Sequence, residues 1–248
     1  MKGKLPKKDR PMLRSVKQLY GDKLGAADGE IGRVKDFYFD DQHWVVRYVV
    51  ADTGSWLSGR QVLLSPHAFG RLDRAGTLLF VNLTRKQIED SPSIESHKPV
   101  SRQYEEEYHR YYGWPYYWQG ERLWGLSGFP VLEQAAQPFP TEQARATGRS
   151  PDGGDAHLQS TQAVNGYHLE ASDGTIGHIC DFMMDDQSWA ICELVIKTGH
   201  RFSGREVQIP TSKVHRISYE KSTVSVNLTS AAVEQSPAHH PAPAGAAD

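Results

Sequence analysis

The chain contains one sequence pattern twice, and this repetition limits its fold more than any other feature. Residues 28–44 read DGEIGRVKDFYFDDQHW, and residues 173–189 read DGTIGHICDFMMDDQSW. A shift of 145 positions aligns residues 21–92 with residues 166–237 without a gap. Roughly thirty of the 72 aligned pairs are identical, far more than composition alone would give. Because a gapless alignment keeps the length of every turn, the sequence predicts two copies of one folding unit.

The repeated unit carries the local signals of β-structure. Short apolar and β-branched segments at 31–39, 44–51, 61–64 and 77–83 are separated by turn signals rich in Gly and Asp. Such short intervals leave no room for crossover helices, so the pattern predicts an antiparallel sheet built from hairpins. About seventy residues of short strands are typical of a small closed or nearly closed barrel, which protects its sheet edges.

Each copy also ends in a predicted helical turn. In the segment NLTRKQIEDSP, Thr84 is placed to cap the helix, Gln87 to complete a capping box, and Pro92 to end it. In the second copy Thr229 lacks the Gln partner, but Pro237 occupies the matching position.

The phrase that opens each unit predicts a hairpin. Its glycines permit a tight entry, its Asp-Asp-Gln turns the chain, and its Trp starts the return strand and buries its ring. The Asp in the middle of the strand is expected to accept hydrogen bonds from backbone amides, which is a structural role. The residues assigned to this repeated framework are Gly29, Gly32, Asp36, Trp44, Gly174, Gly177, Asp181 and Trp189.

The repeat resembles the PRC-barrel domain. The resemblance lies in IGRVKDFYFDDQHWVVRYVV (31–50), TGSWLSGRQVLLSP (53–66) and VNLTRKQIEDSP (81–92), and it covers about 15–92 and 160–237. That domain is known from the cytoplasmic part of the photosynthetic reaction-centre H subunit, and the C-terminal domain of the ribosome maturation factor RimM is similar. The resemblance implies a small barrel of about six strands that serves as an adaptor, and residues 99–118 resemble the segment that follows the barrel in two-barrel bacterial proteins.

The expected fold is therefore all-β, with two tandem small antiparallel barrels joined by a helical aromatic segment and a flexible linker. The composition of residues 129–160 shifts to Gln, Ala, Pro, Gly and Ser, which is typical of a linker. The expected divisions are a disordered basic terminus (1–14), the first repeat (15–95), the aromatic segment (96–128), the linker (129–160), the second repeat (161–237) and a disordered tail (238–248).

Composition narrows the function. The formal net charge is −2 and the pI about 6.6, which argues against a sequence-independent nucleic-acid binder because such proteins need a surplus of Lys and Arg. No apolar run reaches the ~20 residues that cross a bilayer, and no secretory signal follows the basic start, so the sequence predicts a cytoplasmic protein. With Cys180 and Cys192 as the two cysteines, a disulfide framework is excluded.

Several motifs have a chemical and a structural interpretation. The pairs Asp40-Asp41 and Asp185-Asp186 fit either a hard cation or turn chemistry, and turn chemistry is favoured because no further acids follow at loop spacing. The SGR triplets at 58–60 and 203–205 lack the rest of a phosphate-binding loop, although their arginines can contact a partner carboxylate. The two cysteines are either a redox pair or ordinary free thiols, and free thiols are favoured. The sequence predicts no catalytic residue, metal ligand or cofactor.

The segment outside both repeats holds the functional candidates. Tyr104, Tyr108 and Tyr111 recur at helical spacing, and Gly113 and Pro115 end the helix. Such aromatic density indicates either a docking surface or a segment that folds back on its own chain. The candidate interaction residues are Tyr104, Tyr108, Tyr111, Tyr112, Trp114, Tyr116, Tyr117 and Trp118, together with Arg60 and Arg205.

These observations predict a non-catalytic adaptor of the bacterial cytoplasm with an unidentified protein partner. One alternative is a ribosome- or RNA-linked assembly factor like RimM, and another is an electron-transport accessory associated with a membrane complex. Peripheral membrane association and homo-oligomer formation stay open at this level.

Overall fold

Each copy of the repeat folds as one β-sheet in the computed structural model, which describes residues 12–69, 72, 74–75, 78–93, 100–130, 158–199 and 204–240. Strand β1 is Leu13–Ser15, and strands β2 to β7 of the first repeat are Lys23–Ala26, Gly29–Asp40, Val45–Asp52, Gln61–Leu64, Arg74–Ala75 and Leu78–Phe80. Strand β8 is Leu158–Ser160, and strands β9 to β14 of the second repeat are His168–Ala171, Gly174–Asp185, Ile191–Thr198, Glu206–Pro210, Val214–Ser218 and Thr223–Val226.

The two sheets have the same strand order. It runs β5-β4-β3-β2-β7-β6 in the first and β12-β11-β10-β9-β14-β13 in the second. The expected all-β class is therefore confirmed, but the sheets are mixed and not purely antiparallel, because β2 pairs with β7 and β9 with β14 in parallel. Among the described strands, no pairing closes either sheet into a barrel. The parallel pair joins strands about fifty residues apart, which local turn signals cannot reveal.

The two repeats exchange their leading strands. Strand β1 precedes the first repeat but pairs with β10 of the second, where Ser15 lies opposite Met183. Strand β8 precedes the second repeat but pairs with β3 of the first, where Ser160 lies opposite Tyr38. The terminus expected to be disordered through residue 14 thus ends in a strand from residue 13, and the expected linker ends at residue 157. Pairing with the other repeat orders both segments.

Short helices follow the strands. They are α1 (Pro66–Phe69), α2 (Arg85–Glu89), α3 (Arg102–Tyr112), α4 (Thr161–Val164) and α5 (Ser230–Glu234), and the chain makes 3-10 turns at Lys17–Leu19 and Thr211–Lys213. The expected capping box of α2 is confirmed, since Thr84 Oγ1 accepts from the Gln87 amide and Gln87 Oε1 accepts from the Thr84 amide. Thr229 caps α5 alone, through the Ala232 amide at 3.2 Å.

The hydrophobic core runs across both repeats. Phe39 of the first sheet and Phe182 of the second have ring centroids 6.0 Å apart. Trp189 is completely buried, with its ring centroid 5.3 Å from that of Phe69, whereas its counterpart Trp44 is half-buried and stacks on Phe39. The expectation that both Trp rings are buried therefore holds fully for Trp189 and in part for Trp44.

Glycines allow the long strand of each repeat to approach its neighbour. Gly32 has φ of 137°, and a Cβ atom there would lie 2.0 Å from the carbonyl oxygen of Asp52. At the equivalent Gly177 a Cβ atom would lie 2.3 Å from the carbonyl oxygen of Lys197. Gly29 and Gly174 have φ of 151° and 145° at the start of the same strands. Within the described ranges, no helix has the length and apolar character needed to cross a bilayer.

Candidate functional site

The aromatic segment begins with a well-defined helix on the first repeat. Helix α3 starts after Ser101, whose Oγ accepts from the Tyr104 amide at 3.2 Å, and stops at Gly113, which has φ of 70°. A left-handed residue at this position is favourable for Gly because it has no Cβ. The sequence signals for the end of the helix at Gly113 are therefore confirmed.

One face of this helix completes the first sheet. Tyr108 is fully buried; its hydroxyl donates to the Leu63 carbonyl oxygen at 2.8 Å and accepts from the Ser65 amide at 3.2 Å. The helix thereby bonds backbone groups at the end of β5, which is the edge strand of the sheet. Covering an edge in this way prevents unwanted pairing with other chains.

A buried polar network lies beneath the helix, and the sequence gave no specific signal for it. Glu105 has no exposed surface, and its carboxylate accepts from the hydroxyls of Tyr48 at 3.1 Å and Tyr117 at 2.6 Å. Arg102 forms an ion pair with Glu105 at 3.0 Å. Burial raises the pKa of Tyr48 and Tyr117 well above the ordinary value, with a further contribution from the Glu105 charge. Both tyrosines therefore stay protonated and donate to the carboxylate.

Two histidines belong to the same interior. His109 lies between the Tyr48 hydroxyl, 3.2 Å from Nε2, and the Pro115 carbonyl oxygen, 2.9 Å from Nδ1. Burial lowers the pKa of His67 and of His109 to about 3. Because a general base works best with a pKa near the operating pH, neither imidazole is tuned for proton transfer at neutral pH.

The outer side of the segment lines an open groove of about 390 Å³. This aromatic groove is formed by His67, Ala68, Asn82, Leu83, Gln87, Tyr111, Tyr112 and Trp114. The rings of Tyr112 and Trp114 stack with centroids 4.4 Å apart, and Tyr111 is 42% exposed at the rim. The hydroxyls of Tyr111 and Tyr112 donate to the Gln87 carbonyl oxygen at 2.9 and 3.3 Å, which ties helix α3 to helix α2.

The structure therefore divides the candidate interaction residues. Tyr108 and Tyr117 are buried in the first repeat, and Tyr104, Tyr116 and Trp118 are half-buried around it. Tyr111, Tyr112 and Trp114 line the aromatic groove.

The two arginines of the SGR triplets differ in their surroundings. Arg60 donates to the carbonyl oxygens of Glu89 and Ser91 at 3.0 and 2.7 Å, so its guanidinium caps the C-terminal end of helix α2. Arg205, its counterpart in the second repeat, is exposed.

The second repeat does not offer the same surface for an aromatic helix. Three residues of the first repeat that lie against helix α3 and its extension are Tyr48, Leu63 and His67. At the equivalent positions the second repeat has Glu193, Gln208 and Ser212. Polar, partly exposed side chains replace the buried ones, so the aromatic segment is specific to the first repeat.

The paired acids serve as turn residues. Asp40 Oδ1 accepts from the Gln42 amide at 3.0 Å, and Asp185 Oδ1 accepts from the Ser188 amide at 2.7 Å. Asp40 also forms a buried ion pair with Arg47 at 3.1 Å. These contacts agree with the turn interpretation, and the described residues contain no cluster of three potential metal ligands.

The two cysteines are half-buried and not bonded to each other. They lie on the adjacent strands β10 and β11, but Cys192 is level with Met183 and Met184, about 10 Å along the strand from Cys180. Burial raises the pKa of Cys180 to about 12 and raises that of Cys192 as well. Because the thiolate is the reactive form, this environment disfavours redox chemistry.

Comparison with known proteins gives one partial match. No protein-family model matches the chain. The chain is 31% identical over 77 residues to a protein of Deinococcus radiodurans that is described as uncharacterized. The match covers 31% of this chain and 27% of that protein, so the chain spans about a quarter of its relative's length.

Proposed function

We propose that the protein is a non-catalytic interaction protein made of two PRC-barrel-like repeats, and that it binds a protein partner through the aromatic groove. Six strands per repeat, in addition to the exchanged strand, agree with the six-stranded unit that the sequence resemblance implies. The observation that carries the proposal is the groove itself, because it presents three aromatic rings beside exposed amide side chains. Tyr and Trp dominate the residues that contribute most to binding in protein interfaces.

The chemistry of the groove indicates the kind of partner segment. Its lining has no carboxylate, ammonium or guanidinium group, and burial keeps the His67 imidazole neutral by lowering its pKa to about 3. Asn82 and Gln87 supply amide groups at the exposed edge. Such a surface fits an uncharged apolar segment that also offers backbone hydrogen bonds.

The non-catalytic part of the proposal rests on how reactive side chains are used. Glu105 is held by two tyrosine hydroxyls and an arginine, and Asp40 by turn amides and Arg47. The pKa of the Cys180 thiol is raised, whereas a catalytic nucleophile needs a lowered one. These groups hold the fold in place.

The test compares two exposed apolar residues, each replaced by Arg. Tyr111→Arg places a charge at the rim of the groove, whereas Leu126→Arg changes a residue that is 80% exposed and lies outside the groove lining. Tagged proteins are used to enrich partners from the native cytosol, and each enriched protein is quantified against the unchanged chain.

We expect Tyr111→Arg to reduce the enrichment of at least one partner about tenfold or more, which corresponds to ~1.4 kcal/mol of binding energy. Leu126→Arg should retain it. Equal partner profiles for both variants would remove the groove from the proposal.

A further inference from the structure

The exchange of leading strands is reciprocal down to individual atoms. Ser15 Oγ donates to Asp181 Oδ2 at 2.5 Å, and its counterpart Ser160 Oγ donates to Asp36 Oδ2 at 2.5 Å. The second oxygen of each carboxylate accepts from a backbone amide two residues later, from Lys17 at 2.9 Å and from Gln162 at 3.1 Å. Every one of these positions is related to its counterpart by the same offset of 145 residues that relates the repeats.

The strands that meet between the repeats follow the same rule. The Val46 amide donates to the Trp189 carbonyl oxygen at 2.9 Å, and the Ile191 amide donates to the Trp44 carbonyl oxygen at 2.6 Å. Between them, Val45 lies directly opposite its own counterpart, Ala190, in an antiparallel bridge. Residue i of one repeat thus contacts residue j of the other, while j contacts i.

A self-complementary interface of this kind is the one that two identical subunits make around a twofold axis. Here both halves belong to one chain, and the 27 residues 131–157 connect them. No contact across the interface depends on that connection, since every hydrogen bond above joins a residue before position 131 to one after position 157.

We propose that two copies of this chain assemble by the same exchange. The first repeat of one copy would pair with the second repeat of the other, and the remaining two repeats would pair likewise. Both pairs keep all the contacts of the single chain, and the symmetry closes the assembly at two copies. The partner of this surface is therefore a second copy of the chain, which is independent of any ligand of the aromatic groove.

The balance between one-chain and two-chain pairing follows from the tether. Because the contacts are the same, the two forms differ mainly in the local concentration that residues 131–157 impose, which is of millimolar order for a short flexible connection. Single chains should dominate at micromolar concentration and exchanged dimers should become comparable near about 1 mM. Interconversion requires separation of the repeats, so a population formed during refolding should persist after dilution.

A disulfide across the central bridge reports which chains are paired. The flanking hydrogen bonds make Val45 and Ala190 a non-hydrogen-bonded antiparallel pair, whose Cα atoms lie about 4.5 Å apart, within the range that a disulfide spans. The test protein is the full chain with Val45→Cys and Ala190→Cys, and with Cys180→Ser and Cys192→Ser to remove the native thiols. It is unfolded in urea, refolded at about 10 µM or about 1 mM, a range chosen to bracket the expected tether concentration, and then oxidised.

We expect an internal disulfide in monomers after dilute refolding, and dimers joined by two 45–190 disulfides in about half the material after concentrated refolding. Insertion of 27 Gly and Ser residues after residue 143 should lower the concentration at which the two forms are equal by about threefold, since local concentration falls as the −3/2 power of tether length. Mass spectrometry of the linked peptides and light scattering identify the species.

Three results would overturn the inference. One is a fully linked monomer at every concentration up to about 1 mM, the expected tether concentration. Another is a dimer whose disulfides join position 45 to position 45. The third is no disulfide at all, which would show that the central bridge does not form.

Discussion

Ser15 and Asp181 share a hydrogen bond of 2.5 Å although 166 positions separate them in the chain. Ser15 precedes the first repeat, and Asp181 lies in the long strand of the second. The bond thus attaches the start of the chain to its second half. With the matching bond from Ser160 to Asp36, it makes the two repeats one structural unit.

Replacement of Asp181 by Asn should therefore weaken the whole fold. The amide retains one acceptor oxygen but turns a donor toward either the Ser15 hydroxyl or the Lys17 amide. A buried donor left without an acceptor costs about 1–3 kcal/mol of unfolding free energy. Urea unfolding measures the change, with the exposed Glu220→Gln as control. A loss below about 0.5 kcal/mol, the usual effect of a surface change, would show that the bond is unimportant for stability.

Acid should destabilise the protein through its two buried histidines. The folded-state pKa of His67 and of His109 is lowered from 6.5 to about 3, so each contributes stability that is complete above pH 6.5 and is lost as the pH falls toward 3. Within this window each histidine should remove up to about 1.4 kcal/mol of unfolding free energy per pH unit.

The variant His109→Gln isolates this effect, because glutamine keeps a donor and an acceptor but is not protonated in this range. Urea unfolding between pH 7 and 4 should show a shallower pH dependence for His109→Gln than for the unchanged chain. The exposed His215→Gln serves as control. The same slope in all three proteins would contradict the assignment.

Gly32 should tolerate no side chain. In Gly32→Ala the added Cβ would lie 2.0 Å from the Asp52 carbonyl oxygen, so strands β3 and β4 would have to separate. We expect a loss of about 3 kcal/mol or more, since the strain falls on backbone.

The matched control is Gly54→Ala, with φ of 53° and no atom within 4 Å of the added Cβ. Its left-handed backbone alone should cost about 1–2 kcal/mol. Thermal unfolding of both variants compares a steric clash with a conformational preference. An equal shift in the melting temperatures would mean that the close approach of β3 to β4 is not rigid.

Both thiols should react slowly in the folded protein. With a pKa of about 12, Cys180 has a smaller thiolate fraction near pH 8 than an ordinary cysteine by a factor of about a thousand. Alkylation by iodoacetamide, followed by mass spectrometry, should be slow for Cys180 and somewhat faster for Cys192. Unfolding in urea should restore ordinary rates, and fast folded-state alkylation of Cys180 would reopen the redox alternative.

Local signals in the sequence were sufficient for local structure. The Asp-Asp turns, the Thr84 capping box and the end of helix α3 at Gly113 were predictable because each depends on atoms within a few residues of one another. The aromatic segment was identified by its density, but the pattern alone did not separate the buried Tyr108 from the exposed Tyr111. Both residues lie on one short helix, and the sheet beneath decides which of them is covered.

The sequence by itself determined that there are two copies of a β-rich unit, because the gapless offset of 145 residues preserves each strand and turn. It could not determine which copy receives each leading strand. Backbone hydrogen bonds carry no record of sequence, and Asp36 and Asp181 are the same acceptor in near-identical surroundings, so Ser15 fits either. Only the tertiary structure, by bringing Val45 against Ala190, places each leading strand on the opposite repeat.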